Sequence, residues 1–278
     1  MSAPRYTPAA LEQLTLGAIA AARAAAVEIM AVYAGGFEVE QKTDLSPLTA
    51  ADMASHRSLI SALTPLDSGA LVLSEESGPE QFAARSQSRY LWLVDPLDGT
   101  REFVKRNGEF CINIALVEDG VVRLGVLLHP PTGTVWHAAD GLGAWRIDES
   151  GKTAIQVTQP CPPVPRVAAS RSHGHPVVEA YYAALGDVER CPQGSALKFA
   201  RLAEGGLDVY ARLASRCSEW DVAAGQCIVE QAGGQVVDER GQRLRYNQSD
   251  SLIVHNFLAW GDAGRPWLEA LNGIAVDG

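Results

Sequence analysis

The chain has 278 residues, 47% of them hydrophobic and 20% charged, which supplies core enough for one large or two intimate domains and excludes a disordered chain. With 23 basic against 33 acidic residues the formal net charge is -10, which argues against polymeric nucleic acid and leaves small phosphorylated molecules, held by a few local cations, as candidate partners. The five cysteines (Cys111, Cys161, Cys191, Cys217, Cys227) are odd in number, far apart and free of CxxC spacing, so neither zinc nor a disulfide framework is expected and a cytoplasmic location follows, with peripheral attachment to the inner membrane left open.

Along the chain, Leu11, Leu14, Ala18, Ala22, Ala25, Ile29 and Val32 recur at helical spacing. Arg23 and Glu28 interrupt the apolar run, which predicts an amphipathic packing helix and neither a signal peptide nor a membrane span. A polar stretch over 41–47 leads into a second helix that Thr49 can cap, and Thr49 with Asp52 matches a capping box. Leu71-Val72-Leu73-Ser74-Glu75-Glu76-Ser77 is an apolar strand that runs into carboxylates; solvated loop charges are the alternative reading of Glu75 and Glu76.

The most informative stretch is Trp92-Leu93-Val94-Asp95-Pro96-Leu97-Asp98-Gly99-Thr100, where an apolar strand stops at two carboxylates followed by a glycine and a hydroxyl. Pro96 cannot continue a central strand, so the chain turns and both carboxylates leave one bend. Hard cations such as Mg²⁺ accept one or two carboxylates plus phosphate oxygens. Backbone amides of Gly99 and Thr100, opening a helix, favour an anion at the same spot. An ordinary Asp98-Gly99 turn is the plainer alternative.

Next the pattern becomes β-rich: 110–117 and 121–128 flank Asp119-Gly120, a hairpin signal, and 135–138 and 144–147 read as further strands. The closely spaced prolines of Pro160-Cys161-Pro162-Pro163-Val164-Pro165 suggest a boundary. It divides an N-terminal α+β domain, 1–159, from a C-terminal α/β domain, 160–278. Beyond it, strands over 167–170, 207–213, 235–237 and 252–255 alternate with helices over 195–204 and 221–232. In Glu219-Trp220-Asp221-Val222-Ala223-Ala224-Gly225, Asp221 heads a small-residue helix near its positive dipole end, a place that also suits a purely structural aspartate. His173 and His175 flank Gly174 and read as a loop, with zinc disfavoured for want of neighbouring nitrogen or sulfur ligands; Trp136, Trp145 and Trp260 read as packing residues.

Asp44-Leu45-Ser46-Pro47-Leu48-Thr49-Ala50-Ala51-Asp52, Ser74-Glu75-Glu76-Ser77, Asp95-Pro96-Leu97-Asp98-Gly99-Thr100 and Trp220-Asp221-Val222-Ala223-Ala224-Gly225 together resemble the Mg²⁺-dependent, lithium-sensitive phosphatases related to inositol monophosphatase, in that family's order and spacing. The resemblance implies a layered αβαβα sandwich of the inositol monophosphatase and fructose-1,6-bisphosphatase type, within an α/β (α+β) class. It implies that Glu75, Asp95, the Leu97 carbonyl, Asp98 and Asp221 hold two or three Mg²⁺ ions. It also implies that Asp52 and Thr100, with Glu75, orient and deprotonate the attacking water.

Arg101-Glu102-Phe103-Val104-Lys105-Arg106-Asn107-Gly108-Glu109-Phe110, Ser170-Arg171-Ser172-His173 and Gly194-Ser195-Ala196-Leu197-Lys198-Phe199 look like the 3′(2′),5′-bisphosphate nucleotidase branch, which serves sulfur metabolism. That likeness implies a phosphomonoester hydrolase converting adenosine 3′,5′-bisphosphate to AMP and phosphate, with Gly99, Thr100, Ser170, His173, Ser195, Lys198, Arg212 and Asp221 on the substrate. Where the inositol branch carries a glutamate for sugar hydroxyls, the matching position here is Arg212, and a guanidinium forks onto phosphate and has no acceptor for a hydroxyl. The rival readings are an inositol-phosphate or sugar-phosphate phosphatase, and a metabolite-binding regulatory protein.

Overall fold

The computed structural model describes residues 5–35, 39–41, 47–169 and 175–276. Expectations for Ser170 and His173, and for 42–46, fall outside them.

Helix α1 (Pro8–Ala34) opens with Pro8 at its first position and Thr7 as cap, its hydroxyl accepting from the Ala10 amide. A short pair, β1 (Val39–Gln41) and β2 (Pro47–Thr49), leads into α2 (Ala50–Leu63), where the Thr49/Asp52 capping box forms as the sequence predicts. A seven-stranded sheet follows in the order β3 (Leu71–Ser74), β4 (Tyr90–Asp98), β5 (Cys111–Glu118), β6 (Val121–His129), β7 (Thr134–Ala139), β8 (Ala144–Asp148), β9 (Gly151–Ala154). Helix α3 (Pro79–Ala84) joins the parallel pair β3 and β4, α4 (Thr100–Val104) follows β4, and the other neighbours are antiparallel. The predicted hairpin turns at Asp119 and Gly120, both with positive φ (49° and 80°), the backbone a two-residue primed turn needs.

The central strands β4–β7 are buried on both faces, and alternation along them, interrupted at bulges, sorts their side chains. Trp92 and Val94 of β4 point into one core with α1 and α2, while Leu91 and Leu93 point into a second core with the helices beyond β9. A smaller five-stranded sheet comprises β10 (Arg166–Ala169), β11 (Glu189–Pro192), β12 (Val209–Arg212), β14 (Gln235–Val237) and β16 (Phe257–Trp260). The two-residue strands β13 (Cys217–Ser218) and β15 (Ile253–Val254) pair separately. Between the two sheets lie α6 (Leu197–Ala203) and α7 (Glu219–Gln231), and on the far face of the smaller sheet α5 (Pro176–Ala184) closes a third core around Tyr181, Tyr182 and Trp267. The layers therefore run α, β, α, β, α, as expected. Helix α7 approaches β6 closely because residue 125 is glycine: a Cβ there would lie 2.4 Å from the Ala224 carbonyl.

Several details differ from the sequence reading, which also did not anticipate α3, β9, β13 or β16. By length and composition α1 is apolar enough to cross a membrane; its buried face, from Leu11 to Ile29, packs in one core with Leu59 and Leu63 of α2. Helix α7 begins two residues before Asp221, because Ser218 and Asp221 form a capping box of their own. The segment over 176–192 holds α5 and β11, neither of which was expected; His175 caps α5, its Nδ1 accepting from the Val177 amide at 3.4 Å.

Candidate active site

Asp95 and Asp98 sit three positions apart on one strand, where regular pleating would aim them at opposite faces. The register resolves this. Asp95 pairs with Asn113 and Asp98 with Cys111, so three steps on β4 match two on β5, and the extra residue is a β-bulge at Pro96-Leu97. The bulge restores parity, and proline, having no amide hydrogen to lose, suits it. The Asp95 carboxylate then accepts from the Leu97 amide at 2.9 Å, and the Ser55 hydroxyl of α2 donates to the Pro96 carbonyl at 2.7 Å, which fixes the bend against the helix. Gly99 follows in the left-handed region, φ 92°, and a Cβ there would meet the Glu109 carbonyl at 2.9 Å, so only glycine lets the strand turn into α4.

The third carboxylate arrives from the other half of the chain. One oxygen of Asp221 accepts from the Ser218 amide at 2.9 Å as part of the α7 cap. Ligand oxygens of Asp95, Asp98 and Asp221 lie within 4.8 Å of one another, with Asp95 buried and the other two partly so. Glu75, at the end of β3, is not within that tight triad, yet its charge is close enough to raise the pKa of both Asp95 and Asp221.

Burial is the main cause that drives all three aspartates above the usual carboxylate range. Glu75, Asp98 and Asp221 add repulsion at Asp95, and Asp221 is pushed up to about 7. Asp98 is raised less freely, because the Ala196 amide, Lys198, Arg212 and the Cys111 thiol all stabilise its charge. Three repelling carboxylates form an all-oxygen donor set that a hard divalent cation would reverse from cost to gain. The Leu97 carbonyl, on the same bend, lies 3.3 Å from the Thr100 hydroxyl, whose one proton can turn either to it or to Asp52.

Beside the cluster, Asp52 divides its two oxygens. Oδ2 holds the cap of α2, accepting the Thr49 amide at 2.8 Å and the Thr49 hydroxyl at 2.6 Å, while Oδ1 lies 3.4 Å from the Thr100 hydroxyl. The capping role and the dyad with Thr100 thus coexist on one carboxylate. Asp221 follows the same scheme at α7, one oxygen in the cap and one for the cluster.

Of the expected anion-binding residues, Ser195, Lys198 and Arg212 join Asp98, Gly99 and Asp221 around one cavity of ≈ 190 Å³. Ser195 adopts φ 52°, which turns the Ala196 amide onto Asp98 Oδ2. Lys198 Nζ donates to the Ser195 carbonyl at 3.1 Å and lies over the Tyr210 ring. Arg212 donates to the Arg216 carbonyl at 2.7 Å, while its buried Nε finds no partner among the described residues, which suits an anion-binding cation. A second cavity of ≈ 410 Å³ shares Lys198, Tyr210 and Arg212 with the first and continues past Ala168, Val178 and Tyr182.

Sequence reading missed Cys111 and Asn113, which face the two aspartates across the ladder. The Cys111 thiol lies 3.6 Å from Asp98 Oδ2, and the Asn113 side chain donates to the Trp220 carbonyl at 3.4 Å. Only knowledge of the strand register could have placed them.

The Inositol monophosphatase family model matches residues 10–271. The chain is 42% identical over 238 residues to the 3′(2′),5′-bisphosphate nucleotidase CysQ of Salmonella typhimurium, covering 85% of this chain and 95% of that protein. It is 41% identical to the protein of that name from Escherichia coli K12, with the same coverage. Among solved structures, CysQ from Bacteroides thetaiotaomicron, described as a bacterial member of the inositol monophosphatase family, superposes with TM-score 0.77 at 34% identity over 89% of this chain and 96% of that one. By sequence motif, layered fold and family match alike, the chain belongs to the inositol monophosphatase family.

Proposed function

We propose that the protein is a Mg²⁺-dependent 3′(2′),5′-bisphosphate nucleotidase that hydrolyses adenosine 3′,5′-bisphosphate to AMP and phosphate. The observation that carries this reading is the juxtaposition of an all-carboxylate cluster with two cations that separate it from a second, larger cavity. Asp95, Asp98, Asp221, Glu75 and the Leu97 carbonyl would hold two or three Mg²⁺ ions. Bound there, the ions supply charge neutralisation for the phosphoryl oxygens and lower the pKa of a coordinated water.

The chain's own groups do the rest. Lys198 and Arg212 attract the anionic substrate, with Ser195 and the Gly99 and Thr100 amides about the phosphoryl group. The Thr100 hydroxyl, donating its proton toward Asp52 Oδ1, leaves its oxygen free to take the proton of the attacking water. As the water oxygen bonds to phosphorus the bond to the ribose oxygen breaks, that oxygen taking a proton from solvent to become the hydroxyl of AMP, and the nucleoside portion occupies the second cavity, whose Tyr182 and Val178 offer apolar surface. Residues 1–159 would then carry most of the ligands and 160–278 Asp221 with the nucleotide contacts, in a cytoplasmic enzyme.

Two results are expected. First, the cluster couples metal to protons. Because Asp221 titrates near 7 when folded and near 3.8 when unfolded, the folded metal-free protein binds more protons between those values, and its stability falls as pH rises through them. Mg²⁺ must displace those protons, so the rise in melting temperature on adding Mg²⁺ to chelator-treated protein should be larger at pH 8 than at pH 6. A larger rise at pH 6 would contradict the coupling. Second, Arg212→Glu should lower activity on adenosine 3′,5′-bisphosphate by about 10- to 100-fold more than on a simple monophosphate, since it reverses a charge that meets phosphate. Equal losses would remove Arg212 from recognition. The reading as a whole is tested by steady-state rates on adenosine 3′,5′-bisphosphate, inositol 1-phosphate and fructose 1,6-bisphosphate. The first should have the highest kcat/KM; preference for either of the others would favour a sugar-phosphate or inositol-phosphate phosphatase.

A further inference from the structure

Lys198 and Arg212 line both cavities, so each can meet the phosphate that is transferred as well as the one that stays. Arg101 differs. It stands one position after Thr100 on α4, yet it lines the second cavity alone. The neighbouring Glu102 lines the first, so successive residues of this short helix serve different chambers.

The charges around the second chamber are lopsided. Among the described residues that line it, the cations are Arg101, Lys198 and Arg212, with His175 beside them, and the one carboxylate is Glu179, which is already committed to Arg190 at 2.6 and 3.0 Å. Arg101 itself makes no ion pair or side-chain hydrogen bond with any other described residue. Arg89, Arg243 and Arg106 are engaged, with Asp119, with Glu230 and with the carbonyls of Tyr33 and Gly35, whereas the exposed Arg23, Arg57 and Arg216 line neither chamber; what sets Arg101 apart is an open guanidinium on the wall of the second chamber. An exposed guanidinium at the rim of a cation-rich cavity, without an internal partner, is placed for an anionic group on a ligand.

We infer that Arg101 is a specificity-determining residue that grips the phosphate retained by the product, the one remote from the carboxylate cluster. This rests on the nucleotidase reading and deepens it: the site would select substrates carrying two anionic groups separated by a sugar, with Arg101 reading only the second. A charge-assisted fork of this kind contributes binding that the reacting phosphate does not sense, so its loss belongs in KM and not in kcat.

The test compares wild type, Arg101→Ala and Arg101→Lys on adenosine 3′,5′-bisphosphate and on adenosine 3′-monophosphate, with saturating Mg²⁺ and fixed ionic strength. Arg101→Ala should raise KM for the bisphosphate roughly 10- to 100-fold and for the monophosphate far less, with kcat on both substrates close to wild type. Arg101→Lys should recover part of the loss, since it keeps the charge without the fork. A bisphosphate KM left unchanged by Arg101→Ala, or a KM that rises equally on both substrates, would overturn the inference. Failure of the underlying reading has a different signature, namely a wild-type enzyme that handles the two substrates with the same kcat/KM.

Discussion

Asp98→Asn is expected to abolish measurable phosphatase activity while leaving the protein folded. Asp98 stands at the centre of the proposed metal site: its carboxylate is within reach of both Asp95 and Asp221, and it is tied to the turn before α6 through the Ala196 amide. Electrostatic stabilisation is the dominant contribution to phosphoryl transfer, and loss of one preorganised element of it costs on the order of 10³-fold or more. The substitution keeps an oxygen that can accept from Ala196 and from the Cys111 thiol, so local geometry should persist. It also removes one of three mutually repelling charges, so the melting temperature of the metal-free variant should equal or exceed that of the metal-free wild type. Retained activity at saturating Mg²⁺ would count heavily against the site; lost activity together with a collapsed melting transition would show a folding defect in its place.

Asp52→Asn is expected to lower kcat by roughly 10²- to 10⁴-fold with little change in the Mg²⁺ concentration required, the range for losing a positioned general base. The direction follows from the hydrogen bonds. Thr49 offers two donors to one oxygen of residue 52, so an asparagine must keep its carbonyl there and turn its amide nitrogen toward Thr100. That nitrogen can only donate, so the Thr100 hydroxyl loses the acceptor that lets it receive the water's proton. The helix cap survives on the carbonyl, and the protein should melt near the wild-type temperature. Near-normal turnover at saturating Mg²⁺ would remove the base role from Asp52.

Much of the site was legible in the sequence because its carboxylates stand where apolar runs end, and strand ends and helix starts are marked by local chemistry. The Asp95-Pro96 bend and the Thr49/Asp52 cap could both be read directly. The position of Asp221 at the head of α7 was also visible, although the cap begins at Ser218 and the helix starts earlier than its most conspicuous residue suggests. What could not be read depends on pairing between distant segments. The parity of Asp95 and Asp98 is set by a bulge defined only by the register of β4 on β5, and the same register places Cys111 and Asn113. The Ala196 amide carries no side-chain signal at all; its aim follows from the positive φ of Ser195. Helix α5 escaped notice because its cap is His175, outside the usual set of capping residues. Finally, the distinction between Arg101 and Arg212 is a matter of which cavity each faces, and no linear pattern encodes that.

Release of inorganic phosphate from adenosine 3′,5′-bisphosphate by the purified protein, measured after exhaustive chelation and again after Mg²⁺ is restored, tests the central claim most directly. The account predicts essentially no release without the ion, full recovery with it, and AMP as the accompanying product. Undiminished release in the presence of chelator, or none when Mg²⁺ is plentiful, would contradict it.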